Sequence, residues 1–253
     1  MIIGAQLYTV RDFIKTAKSY DETLGKLAAM GYNTVQVSAI GDIGMANIRR
    51  IADKHNMSII VTHTSPDKIL DDTDLVIEDH KVLGAKYIGI GSMPMRYRSD
   101  IAGIKKFISD YTPAANKIAA AGMQLTYHNH DFEFERFDKK LMMDYLAEGF
   151  PPDKLAFVID TFWVQAGGVD VAAYMESLAG RVDVVHFKDY AIVERERKMA
   201  PVMEGNLNWP AIVAACKKAG VKWAFVEQDN CNGMDPFECM KISFDNLKGL
   251  LEG

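Results

Sequence analysis

Residues 120–130 read Ala-Ala-Gly-Met-Gln-Leu-Thr-Tyr-His-Asn-His, and this stretch carries the pattern that decides the fold. A helix-like run ends at a glycine suited to a left-handed helix cap, and a β-like run then follows and stops at His128. A glycine likewise stands between a helix-like run and a β-like run at Gly31, Gly84 and Gly220. This repeated order is typical of a chain built from alternating strands and helices.

The alternation continues along the whole chain. Eight strands are predicted, at residues 2–8, 32–37, 58–62, 87–90, 123–128, 155–160, 182–187 and 221–227. Eight helices are predicted to follow them, at residues 21–30, 45–55, 72–83, 101–121, 140–146, 169–178, 209–219 and 236–250. This count predicts an α/β fold, a (β/α)8 TIM barrel, as a single domain over residues 1–253. An open doubly wound sheet is the alternative, but no GxGxxG motif follows the first predicted strand.

Charged and imidazole side chains end, or nearly end, the last four predicted strands. These residues are His128, Asp160, His186 and Glu227, each preceded by mostly apolar residues. The carboxyl ends of barrel strands meet on one face, and buried charges need compensation, so we predict a divalent cation bound by these four side chains. Mixed nitrogen and oxygen ligands favour Mn, Zn, Co or Fe and do not exclude Mg. The alternative is an ordinary polar layer in which both carboxylates pair with Lys188 or with the histidines.

Further polar residues lie near the same strand ends and are candidates for substrate binding or proton transfer. They are Gln6, His63, Asn129, His130, Glu133 and Lys188. Trp163 fits either core packing or stacking on a sugar face. The segment 190–208, which contains Glu-Arg-Glu-Arg-Lys at 194–198, is interpreted as a solvated loop, with a lid as the alternative.

The overall charge and the cysteines limit the partners and the compartment. With 34 acidic and 29 basic residues, the net charge of −5 argues against nucleic acid as a partner. No apolar run is long enough for a membrane span, and the sequence begins without a basic region and cleavage site. The three cysteines lack a CxxC pair and suit free thiols, so we expect a cytoplasmic protein. A homo-oligomer is left open.

Several motifs resemble the sugar phosphate isomerase/epimerase group of the xylose isomerase-like barrel superfamily, which includes tagatose and psicose 3-epimerases, inosose dehydratase and endonuclease IV. The resemblance covers essentially the whole chain. The most specific motifs are Tyr-His-Asn-His-Asp-Phe-Glu-Phe at 127–134, Asp-Thr-Phe-Trp at 160–163, His-Phe-Lys-Asp at 186–189, Glu-Gly-Asn-Leu-Asn-Trp at 204–209 and Val-Glu-Gln-Asp at 226–229.

The resemblance implies a metal site on the last four strands. The epimerases of the group hold their metal with Glu, Asp, His and Glu, and the two Glu residues also move protons. Asp160, His186 and Glu227 match the last three ligands, whereas His128 stands in place of the first Glu. Trp163 stands where the epimerases carry a sugar-contacting His. The His-x-His arrangement at 128–130 is closer to inosose dehydratase and related proteins that act on keto-cyclitols or oxidised sugars.

Three functions compete at this stage. The leading hypothesis is a metal-dependent isomerase or epimerase that removes a proton next to the carbonyl of a sugar or keto-cyclitol, with a β-eliminating lyase as the runner-up. Glu227 would be the base, His128, His130 or Glu133 the acid, and Lys188 a further oxyanion stabiliser. The other hypotheses are a non-catalytic barrel that binds a sugar or metal and, disfavoured by the net charge, an endonuclease IV-like phosphodiesterase. No glycine-rich phosphate cradle follows strand seven or eight, which favours an unphosphorylated substrate.

Overall fold

A computed structural model describes residues 1–252 of the chain. Eight parallel strands close into a barrel in which each strand pairs with its neighbours in sequence and the last strand pairs with the first. The strands are β1 Ile2–Gln6, β2 Thr34–Val37, β3 Ser58–Thr64, β4 Tyr87–Ile90, β5 Gln124–His128, β6 Leu155–Asp160, β7 Val184–Phe187 and β8 Trp223–Val226. This closed order confirms the predicted TIM barrel and excludes the open doubly wound sheet.

Ten α-helices accompany the strands in the described part of the chain. They are α1 Ala17–Met30, α2 Met45–Lys54, α3 Pro66–Asp71, α4 Thr73–Leu83, α5 Ile101–Ala120, α6 Met142–Gly149, α7 Thr161–Ala166, α8 Val171–Ser177, α9 Trp209–Ala219 and α10 Pro236–Glu252. Gly31 and Gly220 end α1 and α9 with φ of 110° and 85°, the left-handed conformation that favours glycine over other residues. No described helix combines the length and apolar character that a bilayer crossing requires.

The predicted pattern is wrong in three respects, the first being that the short helices α3 and α7 were not predicted. Strand β1 stops at Gln6 rather than residue 8, because the Gln6 side chain accepts a hydrogen bond from the backbone of Tyr8 and caps the 3-10 helix Leu7–Phe13. The segment expected to be a solvated loop instead contains a β-hairpin, in which Asp189–Val193 pairs with Glu196–Ala200. A second, shorter hairpin pairs Arg136–Phe137 with Lys140–Leu141.

The interior of the barrel is layered. Val61, Tyr87, Val158, Val184 and Phe225 form one buried apolar cluster. Successive side chains of a strand alternate between its two faces, so a residue two positions later points in the same direction. His63, Asp160, His186 and Glu227 each stand two positions beyond a member of this cluster and therefore form the layer above it, at the carboxyl ends of the strands. The apolar cluster thus forms the floor beneath a polar mouth.

Candidate active site

Four potential metal ligands meet at the mouth of the barrel. His128, Asp160, His186 and Glu227 are buried, and each offers one ligand atom within 4.8 Å of those of the others. The strand register explains this convergence, because Asp160 is paired directly with His186 and the backbone N–H of Glu227 donates to the carbonyl of the residue after His186. Residues 26 to 99 positions apart in sequence thereby reach one point.

His128 presents one ring nitrogen to this point. Its Nδ1 lies 3.1 Å from the carbonyl oxygen of Gly91, which only accepts hydrogen bonds, so Nδ1 carries the proton. Burial, followed by the nearby His186, holds the pKa of His128 well below its ordinary value, and the ring is therefore neutral. Its Nε2 lone pair then faces Asp160 Oδ2 at 3.3 Å.

His186 is arranged in the same way with its nitrogens exchanged. Its Nε2 donates to Gln36 Oε1 at 2.7 Å, which leaves Nδ1 as the unprotonated nitrogen. Nδ1 lies 2.9 Å from Glu227 Oε2 and 3.9 Å from Asp160 Oδ2, yet it is buried without a hydrogen bond among the described residues. Lone pairs of imidazole and carboxylate that converge at such distances repel each other unless a cation lies between them.

The two carboxylate oxygens of Asp160 have different partners. Its Oδ1 accepts from the backbone N–H of Trp163 at 3.0 Å and caps α7, which leaves Oδ2 directed at the histidines. Burial raises the pKa of Asp160 even though the ammonium of Lys188 opposes that effect. A bound cation would supply the compensation that this carboxylate lacks.

Lys188 lies among three carboxylates, as the alternative interpretation of the sequence required. Its Nζ is 3.3 Å from Asp160 Oδ2, 3.3 Å from Glu227 Oε2 and 2.8 Å from Asp229 Oδ2. Burial alone would lower the pKa of Lys188, but these carboxylates raise it, so the side chain is a fixed ammonium. One ammonium leaves two negative charges uncompensated when all three carboxylates are ionised, and a divalent cation carries that charge. The donor set and its charge therefore fit a divalent metal.

A cavity of about 240 Å³ opens above this cluster, and we call it the central cavity. It is lined by Tyr8, Ser38, His63, Gly91, Ser92, His128, His130, Lys188, Glu227 and Asp229. His130 is neutral because burial, followed by His128, lowers its pKa to about 3, and its buried Nδ1 has no partner among the described residues. Burial, then His128 and His186, likewise lowers the pKa of His63 well below its ordinary value. Both rings are available as neutral hydrogen-bonding groups for a ligand.

Besides Asp160 and His186, which lie in the ligand cluster, four of the predicted site residues are not among those that line the central cavity. Gln6 is buried and caps the 3-10 helix. Asn129 joins β5 to β6, since its Oδ1 accepts from the backbone N–H of Asp160 at 3.0 Å. Glu133 lies behind His130, with Oε2 2.7 Å from the His130 backbone nitrogen and Oε1 2.6 Å from the Tyr127 hydroxyl. Trp163 is half-buried, with its ring 5.3 Å from the His130 ring and 5.3 Å from Lys188 Nζ.

Asp189 explains the Glu-Gly-Asn-Leu-Asn-Trp motif at 204–209. Its buried carboxylate accepts from the backbone N–H groups of Tyr190, Met203, Gly205 and Leu207 and from the indole N–H of Trp209, at distances of 2.6 to 3.3 Å. Backbone amides that converge in this way form an anion site in many phosphate-binding loops. Here the anion is the protein's own carboxylate, which anchors the hairpin next to Lys188.

Sequence reasoning did not assign a role to several residues of the site, among them Gly91, whose carbonyl anchors His128. Gln36 orients His186, while Tyr8, Ser38 and Asp229 line the central cavity. Strand periodicity would have found Gln36, because it is a polar residue in the buried run Thr-Val-Gln-Val. Asp229 follows Glu227 by two positions and belongs to the Val-Glu-Gln-Asp motif at 226–229.

The fold and site define a TIM barrel with a buried cluster of potential metal ligands at its carboxyl-terminal mouth. Residues 24–247 match the xylose isomerase-like TIM barrel family, and the chain belongs to that family. No curated protein matches the sequence.

Solved structures share the fold at low sequence identity. A sugar phosphate isomerase/epimerase from Parabacteroides distasonis is 21% identical, with 97% of this chain and 93% of that one covered and a TM-score of 0.83. An L-ribulose 3-epimerase is 15% identical, with coverages of 100% and 95% and a TM-score of 0.73. The probable 3-DHS dehydratase of petrobactin synthesis from Bacillus anthracis is 12% identical, with coverages of 98% and 99% and a TM-score of 0.75.

Proposed function

We propose that this protein is an isomerase or epimerase that removes a proton next to the carbonyl of an unphosphorylated sugar or keto-cyclitol. His128, Asp160, His186 and Glu227 are the proposed ligands of a divalent cation. One observation carries the proposal: each imidazole is anchored through one nitrogen and directs the other, unprotonated nitrogen at a buried carboxylate oxygen. Histidines that bind metals are typically anchored in this way.

A bound divalent cation would supply Lewis acidity towards the carbonyl and a neighbouring hydroxyl oxygen of the substrate. Two imidazoles and two carboxylates favour Mn, Zn, Co or Fe and do not exclude Mg. The same-fold relatives include proteins named as an epimerase, an isomerase/epimerase and a dehydratase, which supports the choice among reactions that begin with proton removal next to a carbonyl.

Glu227 is the proposed general base. Burial would raise its pKa, but the ammonium of Lys188 opposes burial and the pKa is held well below its ordinary value, so the base is ionised at neutral pH. The carboxylate lines the central cavity and contacts Lys188 and His186 through Oε2. Lys188 lines the same cavity and can donate a hydrogen bond to the oxyanion that forms when the proton leaves.

The returning proton has a different source from the three that the sequence suggested. We assign this role to Asp229, because it lines the central cavity 2.8 Å from Lys188 Nζ, and because burial, followed by Glu227, raises its pKa to about 6 and favours a bound proton. His130 would bind a substrate hydroxyl as a neutral imidazole. Glu133 would position His130 through its backbone rather than touch the substrate.

The substrate is proposed to be uncharged because the basic side chains near the cavity are already engaged. Lys188 contacts three carboxylates, and Arg98 donates to the Met93 carbonyl and to Ser92 Oγ. Arg11 donates to the carbonyls of Tyr8 and Asp229. A phosphate would have to break one of these contacts, whereas sugar hydroxyls need only the neutral groups at the cavity wall.

Exchange of carbon-bound hydrogen tests the proposal. The purified protein, supplied with Mn²⁺, is incubated in D₂O with unphosphorylated keto-hexoses and inososes, and NMR follows the C–H signal next to the carbonyl. We expect exchange that Glu227→Gln and Asp160→Ala abolish and that Glu135→Gln, an exposed control, leaves intact. Undiminished exchange in both site variants would refute the assignment. Saturable binding without exchange across the panel would identify a binding protein instead, and the product of turnover distinguishes isomerisation from elimination.

A further inference from the structure

A second cavity lies beside the central one, and we call it the side cavity. It has a volume of about 230 Å³ and lies between the loops that follow β2 and β3 and the helices α2 and α4. Apolar side chains form much of its wall: Val37, Ile40, Met45, Ile48, Val76 and Leu83. Protein interiors are close-packed, so a cavity of this size at the carboxyl ends of barrel strands is a candidate ligand site.

Most polar groups in the wall of the side cavity are already paired with each other, whereas His63 Nε2, at the boundary with the central cavity, has no partner among the described residues. His80 Nε2 is 2.8 Å from Thr62 Oγ1, and its Nδ1 is 2.6 Å from the Val76 carbonyl oxygen. Lys68 Nζ forms an ion pair with Asp79 Oδ2 at 2.8 Å. A charged or strongly polar ligand would give up its hydrogen bonds to water without gaining partners among these paired groups. An apolar group makes no hydrogen bonds to water and has none to lose on entering the cavity.

The side cavity adjoins the proposed active site. Ser38 and His63 line both cavities, and Ser38 Oγ is 3.3 Å from His63 Nδ1. The His63 ring also lies 5.2 Å from the His128 ring and 5.6 Å from the His186 ring, measured between centroids. The boundary between the cavities is therefore within reach of a group attached to a molecule bound over the metal ligands.

We propose that the side cavity binds an apolar substituent, an aromatic ring or a short alkyl group, carried by the sugar in the central cavity. The substrate is then a glycoside or ether with an apolar group rather than a free sugar. This inference deepens the proposed function and rests on it for the position of the sugar. The volume is sufficient, because an apolar cavity of about 150 Å³ is known to hold benzene.

Phenol tests the side cavity directly and does not depend on activity. The protein is labelled with ¹³C in its methionine methyl groups and titrated with phenol, and the Met45 resonance is assigned by its disappearance in Met45→Trp. We expect saturable binding that shifts the Met45 signal, because Met45 lines the side cavity. Met45→Trp and Ile48→Phe should each weaken phenol binding at least tenfold by filling the space. Met95→Trp, at a residue 76% exposed, is the matched control and should bind phenol normally.

A pair of glycosides tests the link between the two cavities. For phenyl and methyl glycosides of the same sugar, we expect the phenyl compound to bind about 30-fold more tightly, or about 2 kcal/mol at 1.4 kcal/mol per tenfold. Met45→Trp should remove this preference, and Met95→Trp should keep it. Failure of phenol to bind, or equal affinity for every phenyl and methyl pair, overturns the inference. Preference for phenyl glycosides in a protein that exchanges no C–H hydrogen would instead refute the proposed reaction and leave the side cavity as assigned.

Discussion

The buried carboxyl of Glu133 provides a test of the site that needs no substrate. Burial raises its pKa from an ordinary value of 4.5 to about 7, although hydrogen bonds from Tyr127 and from the His130 backbone oppose that rise. The folded protein therefore binds this proton more tightly than the unfolded chain does. For an acid with a raised pKa, stability is full below the unfolded value and is lost as the pH rises through the folded value.

The size of the stability change follows from the folded and unfolded pKa values of Glu133. A difference of about 2.5 pH units at 1.36 kcal/mol each corresponds to about 3 kcal/mol, most of it lost between pH 5 and pH 8. Glu133→Gln cannot titrate, and its amide can still accept from the His130 backbone. We therefore expect the stability of the variant, relative to the parent, to improve by about 2 to 3 kcal/mol between pH 5 and pH 8.

Urea unfolding at several pH values, with a chelator present throughout, measures this difference. Glu135→Gln, two positions away and exposed, should show a difference from the parent that does not vary with pH. A pH-independent difference for Glu133→Gln as well would refute a buried carboxyl with a raised pKa behind His130. Comparing each variant with the parent at the same pH cancels the contributions of all other titrating groups.

Three further predictions concern the residues around the cluster. Asp160→Asn should lose bound Mn²⁺ in elemental analysis, and with it the stabilisation of about 3 kcal/mol that a metal at 100 times its Kd provides. The exposed control Asp153→Asn should keep both the metal and the stabilisation. Equal metal content in the two variants would contradict the ligand assignment. Lys188→Met should lower the free energy of unfolding by about 3 to 5 kcal/mol in chelator, because it leaves three carboxylates uncompensated, and by less in saturating Mn²⁺. An equal loss of stability in both conditions would argue against a cation bound beside these carboxylates. Asp189→Asn should make the hairpin formed by residues 189–200 a site of rapid tryptic cleavage, because the amide nitrogen of the new side chain would face N–H donors. An unchanged rate of cleavage would show that the Asp189 carboxylate does not anchor the hairpin.

Much of this molecule could be predicted from local patterns. Glycine-terminated helices and apolar strands led to the closed barrel, because they depend on backbone conformation and strand periodicity within a few residues. The convergence of His128, Asp160, His186 and Glu227 followed from the same periodicity, since parallel strands bring their carboxyl ends to one rim.

Local patterns failed where a side chain turns towards a distant partner. Gln6 and Asn129 stand at strand ends like the proposed metal ligands, but both bond to backbone N–H groups instead of lining the central cavity. The hairpin at 189–200 was missed because its strands are joined through a run of charged residues that resembles a solvated loop, while its anchor on Asp189 involves amides up to 18 residues away.

The sequence by itself determined the fold and the set of potential ligands, because strand and helix periodicity depends on neighbouring residues. Only the tertiary structure decided how those ligands are directed. Gly91 and Gln36 select the nitrogen that each imidazole presents, and Lys188 sets the charge that a cation must balance. These contacts join residues far apart in sequence, and hydrogen bonds and Coulomb forces depend on distances that exist only once the barrel has closed.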